Sequence, residues 1–383
     1  MIRKKISEVL KGGLFTDGDW INSKDQDPDG EIRLIQLADI GDGVFINKSS
    51  RYINNATAKR LKCTFLKKGD VLVARMPDPL GRSCIFPLEG YQKYITAVDV
   101  CILRPDEEKV SNSYLSHMIN SPFNRSEIER QSTGTTRKRI TRKRLGNLEI
   151  PFPPLKTQEH IASILDDAAA LRDKTAQLLE EYNLLAQSIF LEMFGDRYKF
   201  EEKELGKIIT LLNSKRIPVK ASDRANMQGE YPYYGASGII DYVDEFLFDE
   251  TCLLIGEDGA NLISRSTPIA FIASGRYWVN NHAHVISKKS NINIIYLMYY
   301  INSINLEPYI TGSAQPKLNA TNLRKIPVPI PSKILQNEFA EKIALIEQQK
   351  ELVRQELKES EDLFNCLLQK AFKGELVPES QEI

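Results

Sequence analysis

Cysteine and histidine are scarce in this chain, and the scarcity already argues against several chemistries. The five cysteines (Cys63, Cys84, Cys101, Cys252 and Cys366) are scattered, with no paired spacing. That speaks against a disulfide framework or a zinc knuckle and fits a reducing cytoplasm. Of the four histidines, His282 and His284 would share one face of a strand, as zinc ligands can. With no cysteine pair nearby, the expectation for them is packing or hydrogen bonding. Net charge is also lacking, with 51 Lys and Arg against 51 Asp and Glu. A neutral chain is no obvious polyanion binder, so any nucleic-acid surface has to come from segregated charge. No stretch approaches the roughly 18 apolar residues of a membrane span, and no membrane partner is expected. The basic residues of the N-terminus have no apolar run behind them, so a signal peptide is not expected.

Catalytic motifs are missing as well. A DNA methyltransferase needs an Asp/Asn-Pro-Pro-aromatic motif; the adjacent prolines Pro153–Pro154 lie between Phe152 and Leu155. A translocating motor needs a phosphate loop ending in Gly-Lys-Ser/Thr, but Gly206–Lys207 is followed by Ile208. The acidic residues of Pro105–Lys109 stand too close together to reach one metal from two strands, as a nuclease site would require. Gly256–Glu257–Asp258–Gly259 reads as a tight turn rather than a phosphate cradle.

What is present is a repeat. Thr133–Gly134 returns as Thr311–Gly312, and the same offset carries Arg139 to Lys317, Ile140 to Leu318, Pro151 to Pro329, Gln158 to Gln336 and Phe194 to Phe372. The period is too long for a solenoid and indicates an internal duplication of a globular domain followed by a helix. The first helix shows a 3.5-residue ladder: Ile161, Ile164, Ala168, Leu171, Thr175, Leu178, Tyr182, Leu185 and Ile189. The second shows Phe339, Ile343, Ile346, Val353, Leu357, Phe364, Leu367 and Ala371, with Lys350 and Ser360 as polar rungs. The chain runs out along one helix and returns along the other, so an antiparallel coiled coil is expected. Thr157 is the expected N-cap of the first helix and Gly195 its C-cap.

The expected organisation is a first globular domain over 1–150, a helix over 151–196, a second domain over 197–329, a helix over 330–376 and a polar tail over 377–383. Short strands alternate with polar loops, which suggests an α+β class rather than a doubly wound sheet. Ile32–Leu37, Val71–Arg75 and Tyr94–Leu103 are strand candidates, and a helix over Tyr114–Asn120 is expected to break near Pro122. Just before the first helix, Arg137, Lys138, Arg139, Arg142, Lys143 and Arg144 crowd together. Such a run is either a solvated face or a phosphate-contacting loop, with Thr133, Thr135 and Thr136 adding hydroxyls.

The second domain resembles the target recognition domains of type I restriction–modification specificity subunits. The runs that carry the likeness are Tyr231-Pro-Tyr-Tyr-Gly-Ala-Ser-Gly238, Leu254-Ile-Gly-Glu-Asp-Gly-Ala260, Trp278-Val-Asn-Asn-His-Ala-His284 and Thr311-Gly-Ser-Ala-Gln-Pro-Lys-Leu-Asn319. The junctions at Pro151 and Pro329, with Gln158 and Gln336 behind them, are similar too. The first domain departs most, with Lys67-Lys-Gly-Asp70 and Ala74–Arg75 in place of the Gly-Glu-Asp-Gly loop. The resemblance implies a subunit without an active site, whose two domains each read one half of a split site in double-stranded DNA. It implies two adenine-methylating modification subunits as partners, with motor-nuclease restriction subunits able to join. S-adenosylmethionine and ATP with Mg would belong to those partners, in a bacterial or archaeal cytoplasm.

Base reading needs donors and acceptors aimed at groove edges from loops over a rigid core. Thr135, Thr136, Arg137, Lys138, Arg139, Arg142 and Lys143 are the DNA-contact candidates of the first domain. Tyr233, Tyr234, Ser237, Asp258, Asn261 and Lys317 are those of the second. On the residues alone another class stays open: a coiled-coil scaffold or adaptor whose repeated domains bind protein or carbohydrate. The basic run weighs weakly against it.

Overall fold

In the first domain, Val71–Ala74 is a short apolar run with all four residues buried, and it opens behind a turn at Gly69, whose φ is +92°. Such a run satisfies its backbone only at the centre of a sheet. This is what the computed structural model shows. It describes residues 2–77, 79–134, 137–196, 199–289, 292–312 and 315–376; the tail over 377–383 lies outside them. The chain divides into two compact units: Met1–Ala176 with Gln355–Ile383, and Gln177–Arg354.

In the first unit, β5 (Val71–Ala74) lies inside an antiparallel sheet ordered β2 (Leu14–Asp17), β8 (Val100–Arg104), β5, β6 (Ser83–Ile85). A second sheet places β3 (Ile32–Ile35) between β4 (Arg51–Ile53) and β7 (Lys93–Thr96), with β3 and β7 parallel. A third pairs β1 (Arg3–Lys5) with β9 (Glu149–Pro151), Arg3 facing Pro151. Helices α1 (Ile6–Val9), α2 (Asn55–Leu61), α3 (Asn112–Asn120), α4 (Pro122–Gln131) and α5 (Arg142–Gly146) complete it. The sequence candidate Tyr94–Leu103 is two strands in two sheets. The Val100 amide turns back onto the Ala97 carbonyl at 2.9 Å between them. Pro122 opens α4 as its first residue, with the Ser121 hydroxyl as cap. Pro151 is the last residue of β9, paired with Arg3 at the end of this two-stranded sheet.

The second unit repeats this plan. Its sheet order is β11 (Ile209–Leu211), β18 (Ala283–Lys288), β15 (Cys252–Gly256), β16 (Ala270–Ala273). Next comes β13 (Gly238–Val243), β12 (Gln228–Gly235), β17 (Arg276–Val279), β14 (Phe248–Asp249), with β12 and β17 parallel. The edge pair is β10 (Glu202–Glu204) with β19 (Pro327–Pro329). Its helices are α7 (Leu205–Ile208), α8 (Ala221–Arg224), α9 (Asn261–Ser264), α10 (Ile294–Ser303) and α11 (Ala320–Arg324). The duplication reaches single hydrogen bonds. Tyr114 donates to the Pro151 carbonyl at 2.9 Å, and Tyr296 to that of Pro329 at 2.8 Å. Gln158 donates to the Pro153 carbonyl and accepts from the Ser111 amide; Gln336 donates to that of Pro331 and accepts from the Asn293 amide.

Two long helices close the repeats: α6 (Leu155–Phe194) and α12 (Lys333–Lys373). In the first unit Arg172 lies over the Phe364 ring, 4.9 Å from its centre, and Ile161 and Leu165 share a core with Leu368 and Ala371. In the second, Phe190 and Phe194 meet Phe339 at 5.5 and 5.3 Å. The start of each helix therefore packs against the end of the other: an antiparallel pair. Burial of each such side chain contributes about 1.5–3 kcal/mol.

Most of the ladder of α12 is as expected: Phe339, Ile343, Ile346, Val353 and Ala371 are buried, and so are the polar rungs Lys350 and Ser360, whereas Leu357, Phe364 and Leu367 are half-buried and Leu368 takes the buried place beside Leu367. That of α6 needs correction. Ile161, Ala168 and Thr175 face inward, but the alternate rungs include Leu165 and Ala186, whereas Leu171, Leu178 and Leu185 are 51%, 38% and 46% exposed. The Thr157 and Gln158 amides both donate to the Pro154 carbonyl, so the helix starts at Leu155 and Thr157 sits within the first turn rather than capping it. Gly195 closes the last turn by donating to the Leu191 carbonyl, without left-handed backbone.

Candidate nucleic-acid interface

The site in each unit is built where the central strand of the four-stranded sheet ends. In the second unit β15 ends at Gly256, opposite Ala283, and Glu257 follows. The Glu257 amide donates to the His282 carbonyl (2.8 Å), and its carbonyl accepts from the Leu318 amide (2.7 Å). Two backbone bonds thus tie together the turn after β15, the loop before β18 and the strap at Lys317–Leu318. A Cβ on Gly256 would stand 2.7 Å from the Ala236 carbonyl, so only glycine lets the tip of the β12–β13 hairpin come this close. The hairpin brings exposed Ser237 to the same rim.

The side chains form one network. The Glu257 carboxylate takes Arg216 at 2.8 Å, Lys317 at 3.3 Å and His284 at 3.6 Å. Burial works to raise the Glu257 pKa, but the Arg216 hydrogen bond and the nearby positive groups outweigh it and hold the carboxyl below its ordinary value. Buried His284 donates Nε2–H to the Leu318 carbonyl at 2.7 Å, and the Asn213 amide donates to its Nδ1 at 2.9 Å. Burial holds its pKa below 6.5, so both ring nitrogens are used in the neutral form. His282 donates to Asp258 at 2.8 Å. The hydrogen-bonding role expected of the two histidines is what the structure gives. Among the described residues no cluster has the makeup of a metal site.

In the first unit the same post is held by Arg75. Its amide donates to the Asp99 carbonyl (2.8 Å) and its carbonyl accepts from the Ile140 amide (3.1 Å). Its guanidinium reaches Asp17 at 3.0 Å and the Val98 carbonyl at 2.5 Å. Burial pulls its pKa below the usual value, with Asp17 opposing. Arg139 lies 3.5 Å from Asp99. Arg75, Arg139, Arg142, Lys143 and Asp17 line a cleft of about 650 Å³. Its rim can take anions while Asp17 and Asp99 offer acceptors.

Of the candidates named from sequence, Thr135 and Thr136 lie outside the described residues. Arg137, Arg142 and Lys143 are exposed; Lys138 is paired with Glu129, and Arg142 approaches the Thr16 hydroxyl at 3.5 Å. Asp258 and Lys317 face each other across a backbone bridge. Tyr233 and Tyr234 are on β12, not on a loop. Tyr233 is 1% exposed, with its hydroxyl on the Val219 backbone, and Tyr234 packs against Phe271 and Tyr277. The Asn261 amide is occupied within its own turn, donating to the Thr267 carbonyl and accepting from the Thr267 amide and the Ser266 hydroxyl. Sequence reasoning missed Asp17, Arg216 and Glu257 as network members. The signal available for Glu257 was the placing of Ala74–Arg75 in the first domain where the second has the Gly256–Glu257–Asp258–Gly259 loop.

Two sheet-end platforms of one design, each beside paired helices, define a duplicated α+β recognition protein. The model of the type I restriction modification DNA specificity domain matches residues 3–182 and 198–361, and the chain belongs to that family. A putative type I restriction enzyme specificity subunit of Haemophilus influenzae is 37% identical over 151 residues, 39% of this chain and 38% of that protein. The chain therefore spans well under half of that relative. The putative MjaX specificity subunit of Methanocaldococcus jannaschii is 22% identical over 94% of this chain and 88% of its own length. Among solved structures, the type I S subunit from M. genitalium gives a TM-score of 0.59 at 18% identity, covering 99% of this chain and 96% of that one. A chain from a type I complex solved for its assembly and conformational transition gives 0.55 at 17%, covering 98% of each. These likenesses support the fold.

Proposed function

We propose that this chain is the DNA-specificity subunit of a type I restriction–modification complex, each globular domain reading one half of a two-part site in duplex DNA. The observation that carries the reading is the doubled platform: a rigid sheet end, clamped by the same backbone bonds in both units, that presents charged and amide groups on loops. Rigid elements that aim polar groups are what base-edge reading requires. The exposed cations Arg137, Arg142 and Lys143 supply phosphate contacts. The subunit has no catalytic centre of its own; methyl transfer with S-adenosylmethionine and ATP-driven translocation belong to partners in the cytoplasm. Two modification subunits dock on the helical pair, where Leu184 and Leu191 of α6 and Leu345 and Leu352 of α12 are 52–64% exposed; restriction subunits join that assembly.

The test is reconstitution. With cognate modification subunits and S-adenosylmethionine, the chain should direct adenine methylation to a bipartite sequence, read by modification-sensitive sequencing of a plasmid library. The chain alone should transfer no methyl group. Methyl transfer by the isolated chain, or methylation of the same sites without it, would overturn the proposal.

A further inference from the structure

Arg75 and Glu257 hold the same post in the two units. Each follows the last residue of its central strand, where Ala74 faces Val100 and Gly256 faces Ala283. Each donates its amide to the loop before the neighbouring strand and accepts from the strap, at Ile140 and Leu318 respectively. The backbone surroundings match; the charges are inverted. Arg75, 4% exposed, is a cation that gathers Asp17, with the Asp99–Arg139 pair alongside. Glu257, 9% exposed, is an anion that gathers Arg216, Lys317 and His284. The charge at the post selects which groups fold in against it and which stay outward on the platform.

We infer that Glu257 and Arg75 are positioning residues that set the base preference of their own half-site, Glu257 by holding Lys317 and Arg216 in place. The assignment rests on the DNA-specificity reading. Neither side chain needs to touch a base. With its carboxylate present, Lys317 is restrained to one direction at the rim. Without it, the ammonium is a free cation that any phosphate can attract. Glu257→Gln is therefore expected to move two quantities in opposite directions: discrimination falls while affinity for random duplex rises, because a negative charge has left the interface. Arg75→Gln is expected to lower discrimination and also lower random-duplex affinity, since Asp17 loses its cation. A merely structural defect lowers affinity for every sequence and cannot raise it.

The experiment selects DNA from a library randomised in both half-sites, using the complex reconstituted with its modification subunits, and separately measures binding to random duplex. E257Q is expected to relax preference in one half on the order of tenfold, the scale of one lost base contact, and to raise random-duplex affinity severalfold. R75Q is expected to relax the other half. If Glu257 acts through Lys317, E257Q/K317Q should be no more relaxed than K317Q alone. Should R75Q not fold, Asp17→Asn reads the same post, with the first domain's half relaxed and random binding raised. A folded E257Q that keeps its half-site preference, or relaxes both halves while losing random affinity, overturns the assignment. A wild-type complex that enriches no two-part sequence overturns the underlying function instead.

Discussion

The basic segment before α6 does not act as a uniform patch, and its salt dependence is the sharpest test of that. Lys138 is paired with Glu129 and Arg139 with Asp99, whereas Arg137, Arg142 and Lys143 pair with no carboxylate among the described residues. A cation that meets a phosphate releases a condensed counterion, and each such contact adds about 0.9 to the log–log salt slope. Replacing Arg137, Arg142 and Lys143 by Gln should therefore flatten the slope by roughly 2.7 if all three meet phosphates. Between 0.05 and 0.2 M salt the wild-type complex should then lose roughly fortyfold more affinity than the triple variant. Replacing Lys138 and Arg139 by Gln should flatten it by well under one for the two together. Those cations are already neutralised, and removing them leaves two carboxylates facing the DNA. The measurement is fluorescence anisotropy on random duplex across a KCl series, with the same modification subunits present throughout so that their contribution cancels in the difference. Arg142 and Lys143 are exposed, so the fold is not at stake. Equal slope changes for the triple and the double variant would refute the reasoning, and no change in the triple would remove the phosphate contact altogether.

Three further outcomes are expected. Gln158→Leu and Gln336→Leu should each cost about 2 kcal/mol, because both strand buried backbone groups; hydrogen exchange should rise around α3 in the first and α10 in the second, not in both. Asn261→Ala should lower the melting temperature, costing about 1 kcal/mol, while half-site preference stays unchanged, because its amide serves only its own turn. Acid should destabilise the second unit in two stages. His284 has a folded pKa below 6.5, so the unfolded chain binds the extra proton and stability falls as pH drops through and below 6.5. The Glu257 carboxyl is also depressed, so its contribution, present above the ordinary carboxylate range, is lost later, as pH falls through its folded pKa. Urea melts followed at Trp278 should show the first loss, and His284→Gln should remove it.

The repeat was legible because it is written in residues whose chemistry leaves little choice: glycines, prolines and a buried glutamine at matching positions. The ladder of α12 was legible for a related reason, since Lys350 and Ser360 interrupt it where no apolar alternative stands beside them. In α6 the sequence offers neighbours such as Ile164–Leu165, Leu178–Leu179 and Ile189–Phe190. Periodicity cannot say which of two adjacent apolar residues faces the partner; packing decides. Tyr233 and Asn261 look like outward groups because aromatic and amide residues often are, yet the structure gives each an internal partner. The domain limits differ from the compact units for a physical reason as well. Ile161 and Leu165 pack into the first core and Ala186, Phe190 and Phe194 into the second, so each long helix is divided between them.

The inverted charges at the two posts show how one fold can hold two readers. The post itself is tied to the neighbouring loop and to the strap by one backbone bond each, and those bonds recur in both units. A backbone bond is indifferent to the side chain it carries, provided the φ and ψ angles suit it. The side chain at the post is therefore free to be an arginine or a glutamate without a change of architecture. Its neighbours must then follow: Asp17 and Asp99 around one, Arg216 and Lys317 around the other. A buried charge without a partner would cost several kcal/mol. This coupling limits what single substitutions can do. Swapping one post alone, as in Glu257→Arg, should set two positive groups, Arg216 and Lys317, against a buried cation and unfold the platform rather than respecify it. Exchanging the post together with Arg216 and Lys317 for acidic partners should restore folding and move the preferred bases. A Glu257→Arg protein that melts like wild type would show that the platform does not depend on this charge pairing, and the link between post and specificity would lose its physical basis.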